Sequence, residues 1–245
     1  MYVLLDANVA AANYLPRSMR SKKAGKRIRN MFDSVRSGAT EHFFYMPNFC
    51  IAEVFSVFMK YTFGKWNRHV DNALDTRVYN SLVKQFQSDI HNAKLIYHYE
   101  LSRYHVLAIN LVAPIDHYYQ ISRSSRRNRR KNVIPMGTFD HLVIAMGIHL
   151  AHIHGPDKVV VVTCDDRLNN VLRKCRSGIP KETMKKLKLD KAKDLTGIEF
   201  KPSIFPACVN LKYATNNSIK DTFGACPLPI DEKELKRMKA YRCSK

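Results

Sequence analysis

Four carboxylates stand at positions that could do chemistry. Asp6 closes the apolar run Tyr2 to Leu5, and Asp165, followed at once by Asp166, comes just after Val159 to Thr163. Glu53 and Asp140 instead lie inside stretches with helical spacing. Phe49 and Val57 stand four residues either side of Glu53, Cys50 and Ser56 three, while Val143, Ile144 and Gly147 follow Asp140 at three, four and seven. That spacing predicts buried or nearly buried helix faces for both acids. A carboxylate held against a core is costly unless it is paired or bound to a cation, and acids brought together repel. A hard divalent ion with oxygen ligands, Mg²⁺ or Mn²⁺, would relieve that repulsion, since no cysteine or histidine recurs beside all of these acids. Metal-bound carboxylates on a basic protein are suited to phosphodiester chemistry. Plainer roles exist for two of them: Glu53 reaching water at the margin of its stripe, and Asp140 in a first helical turn, where the helix dipole favours negative charge.

The elements that must position these acids follow from local pattern. Four consecutive valines, Val159 to Val162, cannot alternate between two environments, so both faces of that strand must be covered, as in the middle of a parallel sheet flanked by helices. In such α/β sheets the ligand crevice lies beyond the carboxyl ends of the strands, where Asp6 and Asp165 fall. His42 to Met46 reads as a second strand, and Pro47 opens a helix that runs to about Phe63 and ends at Gly64. Trp66 to Asn92 reads as a further helical segment, Ala93 to Glu100 as a strand, and Arg103 to about Gln120 as one helix. Thr138 is the expected N-cap of a helix over Phe139 to about Ala151, and another begins near Leu168 to Arg173. Glu199 to Leu211 is an expected edge strand interrupted by Pro202 and Pro206, and from Tyr213 a tail with a short helix, Asp231 to Arg242, is expected. His149, His152 and His154 are too loosely spaced to make a ligand set. No internal repeat is visible.

Composition narrows the partners. Lysine and arginine exceed aspartate and glutamate by twenty among 245 residues, an imbalance that a polyanionic partner offsets, and nucleic acid is the first such partner to consider. The run Arg123 to Lys131 carries Arg123, Arg126, Arg127, Arg129, Arg130 and Lys131 with no acid, and Arg17 to Arg29 holds seven basic residues, again with no acid. Both runs are candidate RNA-binding segments, although charge runs are commonly solvated loops or helix faces. No apolar run is long enough to span a bilayer, and Met1 to Leu5 lacks the basic start and the length of a secretory signal, so a cytoplasmic protein without a membrane partner is expected. The six cysteines are scattered without a C-x-x-C pair, which points to reduced thiols.

In order along the chain, Leu4 to Val9, Ile51 to Glu53, Thr138 to Ala145 and Val161 to Leu168 resemble the acidic motifs of PIN-domain nucleases, a family that includes the VapC-type toxins of toxin–antitoxin pairs and several RNA-processing enzymes. The resemblance covers about residues 1 to 176 and implies a nuclease domain to about 211, followed by a C-terminal extension, 212 to 245. It implies a three-layer α/β fold, a central parallel sheet with helices on both faces. Asp6, Glu53, Asp140 and Asp165 would then form one metal site for Mg²⁺ or Mn²⁺, with Asn8 and Thr163 orienting carboxylates from behind. The activity implied is endonucleolytic hydrolysis of single-stranded or loop RNA. An antitoxin protein and a second copy of the chain are further partners to test for. The interval from Glu53 to Asp140 exceeds that of the small toxins, which implies a helical insertion at about 64 to 92.

Two rival readings remain. Haloacid-dehalogenase-like phosphatases also start with an aspartate after the first strand, but they place a second one two residues on, where this chain has Asn8, and they leave Glu53 and Asp140 unexplained. A catalytically silent RNA-binding protein on the same scaffold is the other, against which stands the presence of all four acids.

Overall fold

The computed structural model describes residues 1–16, 22–63, 76–91, 94–126 and 135–223. Its strands are β1 (Tyr2–Leu5), β2 (Phe43–Pro47), β3 (Ile96–Tyr99), β4 (Val159–Thr163) and β5 (Ala207–Asn210). They form a parallel sheet, flanked by helices, in the order β3-β2-β1-β4-β5. All five residues of β4 are buried, as its unbroken apolar run demands. The helices are α1 (Ala7–Tyr14), α2 (Lys22–Arg36), α3 (Asn48–Phe63), α4 (Thr76–Ile90), α5 (Arg103–Ala108), α6 (Ala113–Arg126), α7 (Thr138–His154), α8 (Asp166–Arg176), α9 (Lys181–Lys186), α10 (Ala192–Thr196) and α11 (Asn216–Phe223). Among the described residues, no helix is long and apolar enough to cross a membrane.

The chain divides into two compact units, one of Met1–Tyr99, Val162–Cys164 and Val209–Lys245, the other of Glu100–Val161 and Asp165–Cys208. In the first, Val3, Leu4, Leu5, Phe44, Met46 and Ile96 are buried strand residues, and α1 packs against α2, α3 and α4. Tyr14 of α1 sits edge-on to Phe32, Phe58 and Phe86, with centroids 5.1 to 6.4 Å away. Its hydroxyl donates to Asp89 at 2.8 Å, and Arg36 donates to the same oxygen at 2.7 Å. Burial is the main reason the Tyr14 phenol is held well above its usual titration range, with the Asp89 charge adding to it. In the second unit α7 is apolar almost all round, with His141 to Ile148 buried. Helix α8 is amphipathic and buries Leu168, Val171, Leu172 and Cys175 at the three-and-four spacing of a single stripe.

Several expectations need correction. The expected single helix from Arg103 is two, α5 and α6, separated by a 3₁₀ turn at Ile109–Leu111. Pro114 explains the restart, because a residue without an N–H is tolerated only in a first helical turn. Of the expected strand from Glu199 only Ala207–Asn210 pairs; Pro202 opens a 3₁₀ turn and Pro206 stands immediately before β5. The stretch after Tyr213 contains α11, whose Ile219 and Phe223, four residues apart, are buried. The expected helix Asp231 to Arg242 and residues 64–75 of the expected insertion lie outside the described residues, whereas α4 accounts for much of the remainder of that insertion.

Candidate metal centre

The sheet order changes direction at β1. From β1 the chain adds β2 and β3 on one side, then returns to place β4 and β5 on the other. The crevice beyond the carboxyl ends of the two strands at such a reversal is where open α/β sheets hold ligands. Asp6 follows β1 there and is 5% exposed. Its backbone N–H donates to the carbonyl of Val162 in β4 at 3.1 Å. Asp6 occupies the N-cap position of α1, yet its side chain makes no capping bond. One oxygen, Oδ2, accepts from Asn8 Nδ2 and from Thr163 Oγ1, each at 2.6 Å. Asn8 in turn accepts from the Cys164 N–H at 2.9 Å. Asn8 and Thr163 therefore fix the Asp6 carboxylate from the ends of α1 and β4. Thr163 is fully buried, so its hydroxyl has little freedom to do anything else.

Asp140 and Asp165 form a second group. Gly137, not the expected Thr138, is the N-cap of α7, which makes Asp140 its third residue. A Cβ on Gly137 would come within 3.4 Å of Asp140 Oδ2, so the carboxylate folds back over the start of its own helix, and a hydrogen bond from the Gly137 backbone favours its charged form. Even so, the Asp140 carboxyl is raised from its usual range, first by burial and then by the charge of Asp165, with His141 and Arg167 only partly offsetting them. Asp165 is the N-cap of α8: its Oδ1 accepts from the backbone N–H of Arg167 at 2.6 Å and of Leu168 at 2.9 Å. Asp166, one residue on, is exposed.

Glu53 departs from expectation. The buried stripe of α3 is Cys50, Val54 and Phe58, four residues apart, and Glu53, a hundred degrees round from Val54, is exposed. Its apolar neighbours Phe49 and Val57 are only half-buried. The spacing was compatible with either side of the helix, and packing turned Cys50, Val54 and Phe58 inward.

Asp116, which the sequence reading passed over, is 1% exposed in α6. Its Oδ2 accepts from the Met136 N–H at 2.7 Å, with His141 Nε2 3.5 Å away, and its Oδ1 accepts from Gln120 at 3.3 Å. Arg167 holds the same segment from α8 by donating to the Pro135 carbonyl at 2.9 Å. The lead-in to Asp140 is thus tied down twice. A signal did exist: Val112 and Ile115, four and one residues before Asp116, are buried with it, and an acid set among such residues early in a helix needs a donor.

Of the expected RNA-binding residues, Arg123 and Arg126 lie in the last turn of α6, and Arg127, Arg129, Arg130 and Lys131 fall outside the described residues. His149 bonds His105, Nδ1 to Nε2, at 2.9 Å.

The donor chemistry fits a hard cation. Mg²⁺ is commonly held by one or two carboxylates and otherwise by water and phosphate oxygens, and Asp140 with Asp165 is such a mutually repelling pair. Among the described residues, no group of three or more histidine, cysteine, aspartate or glutamate side chains is placed to hold a metal ion. Compared with known families and curated proteins, the chain matches no family model and no curated protein.

Proposed function

We propose that the chain is a Mg²⁺- or Mn²⁺-dependent endoribonuclease of the PIN type that hydrolyses single-stranded or loop RNA, either as a toxin with a protein antitoxin or as an RNA-processing enzyme of the cytoplasm. The observation that carries this reading is the pair Asp140 and Asp165, two acids at helix starts, the first raised in pKa by burial and then by the charge of the second, on a chain of net charge +20. A bound cation would lower the pKa of its water and stabilise charge on the phosphate. The chain's own residues do the rest. Asp140 and Asp165 present carboxylate oxygens from fixed helix termini. Asp116 and Arg167 hold the Pro135–Met136 lead-in, and with it the first turn of α7. Asn8 and Thr163 keep Asp6 in one orientation at the reversal of the sheet. No serine, cysteine or histidine in these motifs is placed as a nucleophile, so water is the attacking group and no covalent intermediate forms.

Purified protein incubated with pooled RNAs in Mg²⁺ should cut them, leaving 5′-phosphate and 3′-hydroxyl ends, and Asp140→Asn should stop cleavage while leaving binding largely intact. Cyclic phosphate ends, or full activity in EDTA, would overturn the mechanism. Asp6→Asn and Glu53→Gln are assayed alongside, because loss of cleavage in each assigns that acid to the metal and retention removes it.

One second reading has an observation behind it. Asp140 and Asp165 both interact with the backbone at helix N-termini, which is sufficient structural reason for both acids. A catalytically silent RNA-binding protein would need no more from them. It predicts RNA binding with no cleavage in Mg²⁺ or Mn²⁺.

A further inference from the structure

One face of the first unit's sheet is aromatic. The register sets Tyr2 beside Phe43, Tyr45 beside Tyr97 and Pro47 beside Tyr99. Paired residues of parallel strands share a face, so Tyr2, Phe43, Tyr45, Tyr97 and Tyr99 stand together with the buried Leu4 and Pro47, while Val3, Leu5, Phe44, Met46 and Ile96 are buried on the opposite face; the aromatic face is open at Phe43 and Tyr97 and half-buried at Tyr2, Tyr45 and Tyr99. The rings form a continuous group: Phe43 is 4.9 Å from Tyr45 and 5.8 Å from Tyr97, Tyr45 is 5.5 Å from Tyr97 and 5.6 Å from Tyr99, and Tyr2 is 6.4 Å from Phe43, all between centroids. Cross-strand ring pairs stabilise a sheet, but that role does not require exposure. Phe43 is 39% exposed and Tyr97 43%, and β3 is an edge strand.

We infer that this face is a stacking platform for the bases of single-stranded RNA. The inference rests on the reading of the chain as an RNA-binding protein, and not on its catalysis. Exposed rings on a sheet offer π faces to unstacked bases whatever their sequence. Charge decides the occupant. Lys94 and Glu41, just before β3 and β2, and Glu100, just after β3, are all exposed and leave this face without a basic excess of its own, so what favours a polyanion here is the chain's net charge of +20. Such a field draws in a polyanion and opposes a second copy of the same chain. A duplex, whose bases are already stacked, gains nothing from the rings.

The test is binding of fluorescein-labelled decauridylate, and of a ten-pair RNA duplex, to the full chain in EDTA, so that cleavage plays no part. Phe43→Leu combined with Tyr97→Leu should weaken decauridylate binding by about tenfold or more while changing duplex affinity by less than about twofold, and Tyr97→Phe should bind as the wild type does. In wild-type protein, decauridylate carrying 4-thiouridine should crosslink to peptides containing Phe43–Pro47 or Ile96–Tyr99; this second measurement does not depend on any variant folding. Unchanged affinity in the double variant, or crosslinks confined to other peptides, would overturn the platform. So would light scattering that shows a wild-type dimer and a monomeric double variant, which would make a second copy the occupant. Ring-dependent binding by a protein that cuts no RNA would leave the platform standing and remove the nuclease reading alone.

Discussion

At the scale of single residues the most informative group is Asp140, whose carboxyl is raised from its usual value of 3.8 by burial and by Asp165. Below that value both the folded and the unfolded chain hold the proton, and the group costs the fold nothing. As pH rises from there through the raised folded value, the native state must carry a charge that the unfolded chain accommodates more easily, so the stability present in acid is lost. Asp140→Asn removes this dependence while its amide oxygen can still accept from Gly137. In EDTA the variant should therefore melt above the wild type at pH 7, with the difference shrinking towards pH 4. Added Mg²⁺ should raise the melting temperature of the wild type and not of the variant, since a ligand that binds the native state alone stabilises it. A variant that melts below the wild type at neutral pH would mean that the capping contact outweighs the repulsion.

At the scale of elements, Asp165 combines two roles that one pair of substitutions can separate. Its Oδ1 caps α8 through the N–H groups of Arg167 and Leu168. Asp165→Ala should cost about 1 kcal/mol of stability, and Asp165→Asn, which keeps an accepting oxygen, much less. On the proposed nuclease reading cleavage should fail in both, because a neutral amide oxygen holds a hard cation less tightly than a carboxylate does. Denaturant melts beside the cleavage assay read the two effects independently. A fully active Asp165→Asn would reduce Asp165 to a helix cap.

For the molecule as a whole the controlling quantity is charge. Replacing Arg126, Arg127, Arg129 and Arg130 with serine should weaken RNA binding several-fold and flatten its dependence on salt, because each phosphate contact releases a counterion on binding. Affinity measured across a salt series gives both numbers. An unchanged slope would make this run a solvated segment. The proposed aromatic platform belongs to a different energetic class: stacking survives salt that screens charge, so its contribution should dominate the affinity that remains at high ionic strength.

Much of this was legible in the linear chain. The four valines of β4 required a strand covered on both faces, and the apolar run ending at Asp6 placed an acid at a strand end; in both cases a period or its absence is a local property that the sequence carries in full. The interruption of the last strand by Pro202 and Pro206 was also written locally, in residues that lack an N–H, whereas the helix break before Pro114 went unread although its signal was local too. Glu53 shows the limit. Its neighbours at three and four residues fitted either side of α3, and only packing selected Cys50, Val54 and Phe58 for the core, leaving the acid exposed. Asp116 shows it from the other side, since its partner is the backbone of Met136, twenty residues on. The Asp6, Asn8 and Thr163 cluster joins groups as far as 157 positions apart. The aromatic face needed the register of three strands before its rings could be seen to share one side. Sequence by itself determined most of the elements and where the acids fall within them. Tertiary structure alone decided which acids repel, which are held and which face water, because those are long-range contacts and no local period encodes them.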